Sequence, residues 1–225
     1  MRAGASLRRG VIYLAGMVIL ALGLTLNTKT GLGVTPILSL SFAAAQIWNV
    51  NFGDATFVLY SLFVAGEFLL RGRGSRWYDL LQLPFSLVFS RVLNLFDVWL
   101  PYQSGRYGFG ADLALLALAI LLTGIGVSMT VNMRLIPNPG DGIVQAVAER
   151  IGRDQGFAKN IFDLGCVALT TVLCLVLTGG VVGIGVGTVV AMVGVGRAIA
   201  LTNRLFQEKM CRAAGLLREV APREA

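Results

Sequence analysis

The chain has 225 residues, of which 56% are hydrophobic and 14% are charged, and its mean hydropathy is +0.74. Soluble domains carry about 25% charged residues, so this composition predicts a protein that lies in a membrane. Histidine is absent and the three cysteines form no paired Cys-x-x-Cys motif, which argues against hydrolytic chemistry, a metal site and a disulfide framework. We expect no cofactor.

Six stretches approach the roughly 20 apolar residues that cross a bilayer. In chain order they are residues 11–26, 56–70, 80–100, 113–131, 160–177 and 182–201. Arg8 and Arg9 precede the first stretch, as they would in a signal peptide. We expect this stretch to stay in the protein, because the internal repeat described below requires it.

Two further segments, residues 36–48 and 139–151, are too short to cross a bilayer. Each begins with a proline, after Thr35 or Asn138 as the candidate N-cap, which is typical of a helix start. We predict that both are short re-entrant or interfacial helices.

Lysine and arginine are distributed unevenly between the segments that join the spans. With the N-terminus inside, fifteen lie on the inner side, Lys29 and Arg106 on the outer side, and Arg91 and Arg197 within spans. The net charge of +7 therefore indicates topology rather than nucleic-acid binding. The bias predicts a bacterial inner (plasma) membrane protein with both termini in the cytoplasm.

The chain resembles itself at an offset of 103 residues. The matching residues include several that set backbone geometry: Gly23 with Gly126, Leu32 with Leu135, Pro36 with Pro139, and Gly53 with Gly156. Three spans per unit is an odd number, so the second unit enters the membrane from the opposite side. We predict an all-α fold of six transmembrane helices in two inverted three-span repeats, residues 1–105 and 106–205, followed by a basic cytoplasmic tail, residues 206–225.

Two arginines lie within predicted spans, and a three-residue slip of the repeat aligns Arg91 with Arg197. A cation at the centre of a bilayer costs about 2.5–3.5 kcal/mol even on a lenient scale. One hypothesis is that both face a central cavity and bind an anionic group, because the guanidinium matches carboxylate and phosphate. The other is that each forms a structural ion pair or extends to the interface.

Further polar residues are candidates for the same cavity. We predict that Asn138, Asp141, Gln145 and Thr188 help to line it, although helix capping alone would also explain Asp141. Two acids in the spans are candidates for proton coupling, and each also has a basic residue four positions away: Asp163 with Lys159, and Glu67 with Arg71.

Small residues recur every four positions near the last span, at Gly179, Gly183, Gly187 and Ala191. This spacing predicts a seam for close helix packing. The glycines also resemble a nucleotide-binding loop, but they follow no predicted strand, so we favour packing.

Three motifs resemble those of the YczE/YyaS/YitT type of bacterial membrane protein. They are Leu-Gly-x-Thr-Pro at residues 32–36, Asn-Pro-Gly-Asp-Gly at residues 138–142, and Gly-x-Gly-Thr at residues 185–188. Members of that family often continue the first turn with Trp-Asp, whereas Ile37 and Leu38 follow here. The resemblance implies the six-span architecture and names no substrate.

These features together predict a transporter that moves a small polar metabolite, with an anion favoured, by alternating access. The alternatives are a membrane-embedded binding subunit that needs a separate energising partner, and a regulatory or assembly scaffold that transports nothing. An enzyme is not expected, because the sequence offers no nucleophile paired with a general base. The expected partners are membrane lipids and a small-molecule substrate, and nucleic acid is not expected. Formation of a homo-oligomer is neither predicted nor excluded.

Overall fold

Residues 2–74 and 77–216 are described in a computed structural model, and they form eight α-helices without any strand. The helices are α1 (Arg2–Lys29), α2 (Pro36–Trp48), α3 (Phe52–Arg71), α4 (Gln82–Trp99), α5 (Phe109–Asn132), α6 (Pro139–Ile151), α7 (Gln155–Thr178) and α8 (Val186–Ala213). Two short 3-10 turns, Gly72–Gly74 and Trp77–Leu81, lead from α3 to α4. Arg76, Arg218 and Arg223, which belong to the predicted inner segments, lie outside the described residues.

Six of these helices, α1, α3, α4, α5, α7 and α8, are long and apolar enough to cross a membrane. This confirms the six predicted spans. The helix α4 is shorter than residues 80–100, because a 3-10 turn, Trp77–Leu81, precedes it. The other five are longer than their apolar stretches because regular hydrogen bonding continues past the last apolar residue. As a result, α8 extends to Ala213 and includes the first part of the predicted tail.

The most extensive contact between described helices is the crossing of α1 and α5. Gly23 and Gly126 make it possible: a Cβ on Gly23 would stand 2.6 Å from the backbone nitrogen of Thr123, and one on Gly126 would stand 2.5 Å from that of Leu20. Small residues let two backbones approach this closely. Leu20 and Thr123 are themselves 103 residues apart, so each half of the contact repeats the other.

The short helices α2 and α6 share the same local design. Each follows a residue in extended conformation, Thr35 (ψ 141°) or Asn138 (ψ 138°), and begins at a proline, which leaves no unpaired N–H at the first helical position. Each ends at a residue with positive φ, Asn49 (50°) or Gly152 (65°). The left-handed conformation terminates a helix, so both stop after 13 residues.

Both short helices pack against α3 and α7, and they meet α3 at its opposite ends. Near the start of α3, the Thr56 hydroxyl donates to Ser41 Oγ of α2 over 3.2 Å. Near the end of α3, Glu67 lies against Gly142 of α6. The prediction of two short helices is confirmed, and they contact α3 at different positions along its length.

The pairs α3–α4 and α7–α8 are packed differently. The rings of Tyr60 on α3 and Phe89 on α4 stack with their centroids 6.0 Å apart and their planes inclined by 19°. Within the described ranges, α7 and α8 make no comparable contact. An opening therefore remains between them.

The predicted small-residue seam of the last span is only partly present. Gly179 is the residue with φ 73° that ends α7, and Gly183, with φ 77°, lies in the turn before α8. The prediction is wrong for these two because glycines at positive φ end the helical path instead of continuing it. Gly187 is in α8, and its N–H donates to the Leu32 carbonyl over 2.7 Å.

We predict that Gly187→Leu destabilises the protein, whereas Gly196→Leu in the same helix does not. A Cβ on Gly187 would stand 2.8 Å from the carbonyl oxygen of Leu32, but one on Gly196 would meet nothing within 4 Å. Overpacking of this kind costs about 1–3 kcal/mol. Yield and melting temperature in detergent measure the effect, and equal values for the two variants would contradict the close contact.

Candidate functional site

A cavity of about 320 Å³ lies among the helices, on the side where α7 and α8 separate. One wall is apolar and comes from α1, α5 and α8, through residues that include Leu20, Leu24, Val127, Val195 and Ile199. The other wall is formed mainly by α7 and by the first turns of α2 and α6, and it carries most of the polar side chains. The cavity is therefore suited to a molecule with an apolar body and a polar end.

The polar wall holds an ion pair on α7. Lys159 Nζ lies 3.0 Å from Asp163 Oδ2, and Asp163 is buried. Both residues line the cavity, and their spacing of four places them on one face of the helix. The structure thus contains the on-helix pair that the sequence predicts, and it adds Lys159 to the residues that line the cavity.

The first turn of α6 supplies Asn138 and Asp141. The Asn138 side chain accepts a hydrogen bond from the Gly140 N–H over 3.0 Å, so it caps the helix. The Asp141 carboxylate, in contrast, makes no hydrogen bond to any residue that the structure describes. Burial raises the pKa of the Asp141 carboxyl above its ordinary value, and the charge of Lys159 opposes this rise.

The first turn of α2 reaches the same cavity through Thr35 and Pro36. Tyr60 and Thr123 line it as well, and the buried Thr123 hydroxyl has no hydrogen-bond partner among the described residues. Sequence reasoning did not select Tyr60 or Thr123. The signal that was present is the 103-residue offset, which equates Thr35 with Asn138 and Leu20 with Thr123.

The two arginines do not meet in this cavity, which corrects the prediction of a shared arginine site. Arg91 pairs with Asp54 over 2.8 Å, and 59% of its side chain is exposed on the molecule's surface. Arg197 is also exposed, and neither residue lines the cavity. For Arg91 the ion pair with Asp54 offsets the cost of a charge in a span, as the alternative hypothesis expects.

Three other candidates also lie away from the cavity. Gln145 is exposed and does not line the cavity. Thr188 is buried, but its hydroxyl is used at the start of α8, where it accepts from the Gly185 N–H over 3.2 Å. Glu67 is buried against Gln82 and Arg71. Of the predicted site residues, Asn138, Asp141 and Asp163 are therefore the ones that line the cavity.

Comparison with known proteins identifies the family. The sequence matches DUF6198, described as a family of unknown function, over residues 7–204. The chain belongs to this family. It is also 25% identical over 182 residues to the uncharacterized membrane protein YczE of Bacillus subtilis (strain 168), a match that covers 76% of this chain and 82% of that protein. No solved structure gives a significant match.

The predicted resemblance to YczE-type proteins is thereby confirmed. Since the family match spans nearly all of α1 to α8, it contains every helix that forms the cavity. Together with the six apolar helices, the comparison establishes this DUF6198 chain as a membrane protein.

We predict that Asn138→Ala lowers the stability of the protein by about 1 kcal/mol, because it removes a side-chain cap. The matched control is Thr35→Ala, since Thr35 precedes α2 in the same conformation but makes no capping hydrogen bond. Thermal unfolding in detergent compares the two variants. A loss for Thr35→Ala as large as that for Asn138→Ala would show that capping is not what Asn138 contributes.

Proposed function

We propose that this DUF6198 protein is a membrane transporter that moves a small molecule by alternating access between two inverted three-span halves. The observation that carries the proposal is the cavity, because the first turns of both short helices meet there. Substrate sites of secondary transporters lie at the interface between repeats and are formed by interrupted helices. The cavity combines both features.

The helix boundaries support the division into halves at residues 1–105 and 106–205. Three pairs of boundaries recur at the same offset of 103 residues: Lys29 and Asn132 end α1 and α5, Pro36 and Pro139 begin α2 and α6, and Phe52 and Gln155 begin α3 and α7. The opposite placement of α2 and α6 along α3 supports inversion of the second half.

The unequal packing of α3–α4 and α7–α8 supports alternating access. The 103-residue offset relates Tyr60 to Asp163, and the three-residue slip relates Phe89 to Val195. Tyr60 and Phe89 stack on each other, whereas Asp163 and Val195 face the cavity between α7 and α8. We propose that the structure represents one of two states. In the other state α7 and α8 close on each other, and α3 and α4 separate.

The charges around the cavity bear on the class of substrate. The expectation of an anion rested on Arg91 and Arg197, which lie elsewhere. Lys159 is already paired with Asp163, whereas the Asp141 carboxylate makes no hydrogen bond within the described part of the chain. We therefore propose a small amphiphilic substrate whose protonated amine, or another hydrogen-bond donor, binds Asp141 and whose apolar part contacts α1, α5 and α8.

A thermal-shift screen of the purified protein tests this substrate class, since a bound ligand stabilises by mass action. The screen compares amphiphilic amines with carboxylates of matched size. We expect amines to raise the melting temperature, and Asp141→Asn to weaken their binding about tenfold or more, because a charge-assisted hydrogen bond is lost. Asp97→Asn, whose carboxylate forms a partly buried ion pair with Lys29, is the control and should bind normally.

Flux into proteoliposomes separates transport from binding alone. Uptake of a binding amine by the lone chain would exclude a subunit that needs an energising partner. Binding without uptake would contradict the transporter proposal, and stabilisation by carboxylates alone would contradict the proposed substrate class.

The proposed orientation places both termini, Gly74 and the loop after α6 in the cytoplasm. An engineered cysteine at Gly74 should resist an impermeant thiol reagent in intact cells, whereas one at Gly105, in the turn between α4 and α5, should react. Both positions are exposed, and the native cysteines are buried, so replacing those three with serine or alanine gives a clean background. Labelling at Gly74 but not at Gly105 would reverse the topology.

A further inference from the structure

A second polar site lies on the other face of α6, at the end of α3. Glu67 on α3 and Gln82 on α4 are 1% and 0% exposed, and Gln82 Nε2 donates to Glu67 Oε2 over 2.8 Å. A buried carboxyl group in a span is costly unless it is paired and hydrogen-bonded. The question is how this pair satisfies its remaining polar atoms.

The two other oxygens of the pair have no hydrogen-bond partner among the described residues, although both are fully buried. They are Oε1 of Glu67 and Oε1 of Gln82, and both lie against Gly142 of α6. Two acceptors cannot satisfy each other, but a proton on Glu67 makes one of them a donor. A neutral carboxyl group and an amide then form two complementary hydrogen bonds.

The opposite assignment of the Gln82 amide leads to the same result. Exchanging its nitrogen and oxygen would place two oxygens 2.8 Å apart, which again requires a proton between them. The need for a proton therefore does not depend on how the amide is oriented.

Among the described residues, Arg71 is the cation that contacts Glu67, but it is shared. Its guanidinium lies 3.7 Å from Glu67 Oε2, 3.6 Å from Asp79 and 3.0 Å from Glu149 of α6. The shortest of these contacts, supported by two hydrogen bonds, is with Glu149. Arg71 thus directs its hydrogen bonds to Glu149 of α6, and its contact with Glu67 is longer.

We propose that Glu67 is a proton-binding site, neutral in this state, whose proton holds the first turn of α6 against α3 and α4. A Cβ on Gly142 would overlap Glu67 Oε1 and would stand 3.1 Å from Gln82 Oε1, so the pair fits directly under this turn. Release of the proton to water past the half-exposed Glu149 leaves an anion facing an acceptor oxygen. That repulsion loosens the α6 turn.

The other half of the molecule has no ionisable counterpart at this place. At the 103-residue offset, Glu67 corresponds to Thr170 and Gly142 corresponds to Ser39. These two hydroxyls lie 2.8 Å apart and join α2 to α7. The contact that holds α2 on α7 is therefore insensitive to protons, whereas the contact that holds α6 on α3 and α4 responds to them.

Gly142 is adjacent to Asp141, which lines the cavity, so loosening the turn moves the cavity wall. This link between proton release and the cavity rests on the proposed transport function. The presence of the proton on Glu67 does not, and it is tested separately.

Infrared difference spectroscopy of the detergent-solubilised protein tests the proton directly. A neutral carboxyl group has a carbonyl-stretch band that a carboxylate lacks, and the band shifts in D₂O. We expect this band at neutral pH in the native protein, its loss in Glu67→Gln, and its retention in the control Asp97→Asn, whose carboxylate pairs with Lys29. Glutamine at position 67 can make the same two hydrogen bonds, so that variant should fold.

Gln82→Leu provides a second measurement that does not depend on Glu67→Gln. It removes the partner amide, so the band of Glu67 should move to the frequency of a carboxyl group without a hydrogen bond. Absence of a neutral-carboxyl band from the native protein, or a band unchanged in both Glu67→Gln and Gln82→Leu, would overturn the proposal.

Flux measurements then address the link to transport. If a substrate is carried, a pH gradient should alter its uptake by the native protein but not by Glu67→Gln. A band that disappears in Glu67→Gln, with no transport by either protein, would retain the proton site and reject the transport function.

Discussion

The close crossing of α1 and α5 is the constraint on which the rest of the structure depends. Gly23 and Gly126 allow the two backbones to touch. Gly23 packs on Thr123 and Gly126 packs on Leu20, and these two partners are also 103 residues apart. In lipid there is little hydrophobic gain from bringing helices together, so close packing of small residues must supply the cohesion. Beside this crossing α4 packs on α1 and α8 packs on α5, and the first turns of both short helices line the adjoining cavity.

The two proposed halves share helix boundaries at the 103-residue offset but differ in how they are packed and charged. α3 and α4 are joined by stacked aromatic rings, whereas α7 and α8 leave room for a cavity lined by Lys159 and Asp163. The first turn of α2 is held by a pair of hydroxyl groups, and that of α6 lies against a buried carboxyl group and an amide. In the proposed transport cycle, symmetry in the backbone combined with asymmetry in the side chains gives one fold two unequal states.

Polar groups in the apolar region are stabilised locally, one at a time. Asp54 pairs with Arg91, Asp163 with Lys159, and Asp97 with Lys29. Each pair offsets the cost of leaving water, which is why most charges within the spans report structure rather than function. Asp141 and Glu67 differ from these. Among the described residues the Asp141 carboxylate makes no hydrogen bond, and Oε1 of Glu67 has no donor.

The sequence alone determined that six helices are long enough to cross a membrane, because hydrophobic length is a local property. It also determined the boundaries of the two short helices, because proline and helix-ending residues act locally. It also placed Asn138 and Asp141 at a helix start and identified the ion pairs spaced four residues apart. Which side chains share a cavity was decided by tertiary structure. Arg91 and Arg197 occupy equivalent positions in the chain, yet helix rotation turns both outward, and rotation depends on packing against neighbouring helices that no local pattern encodes.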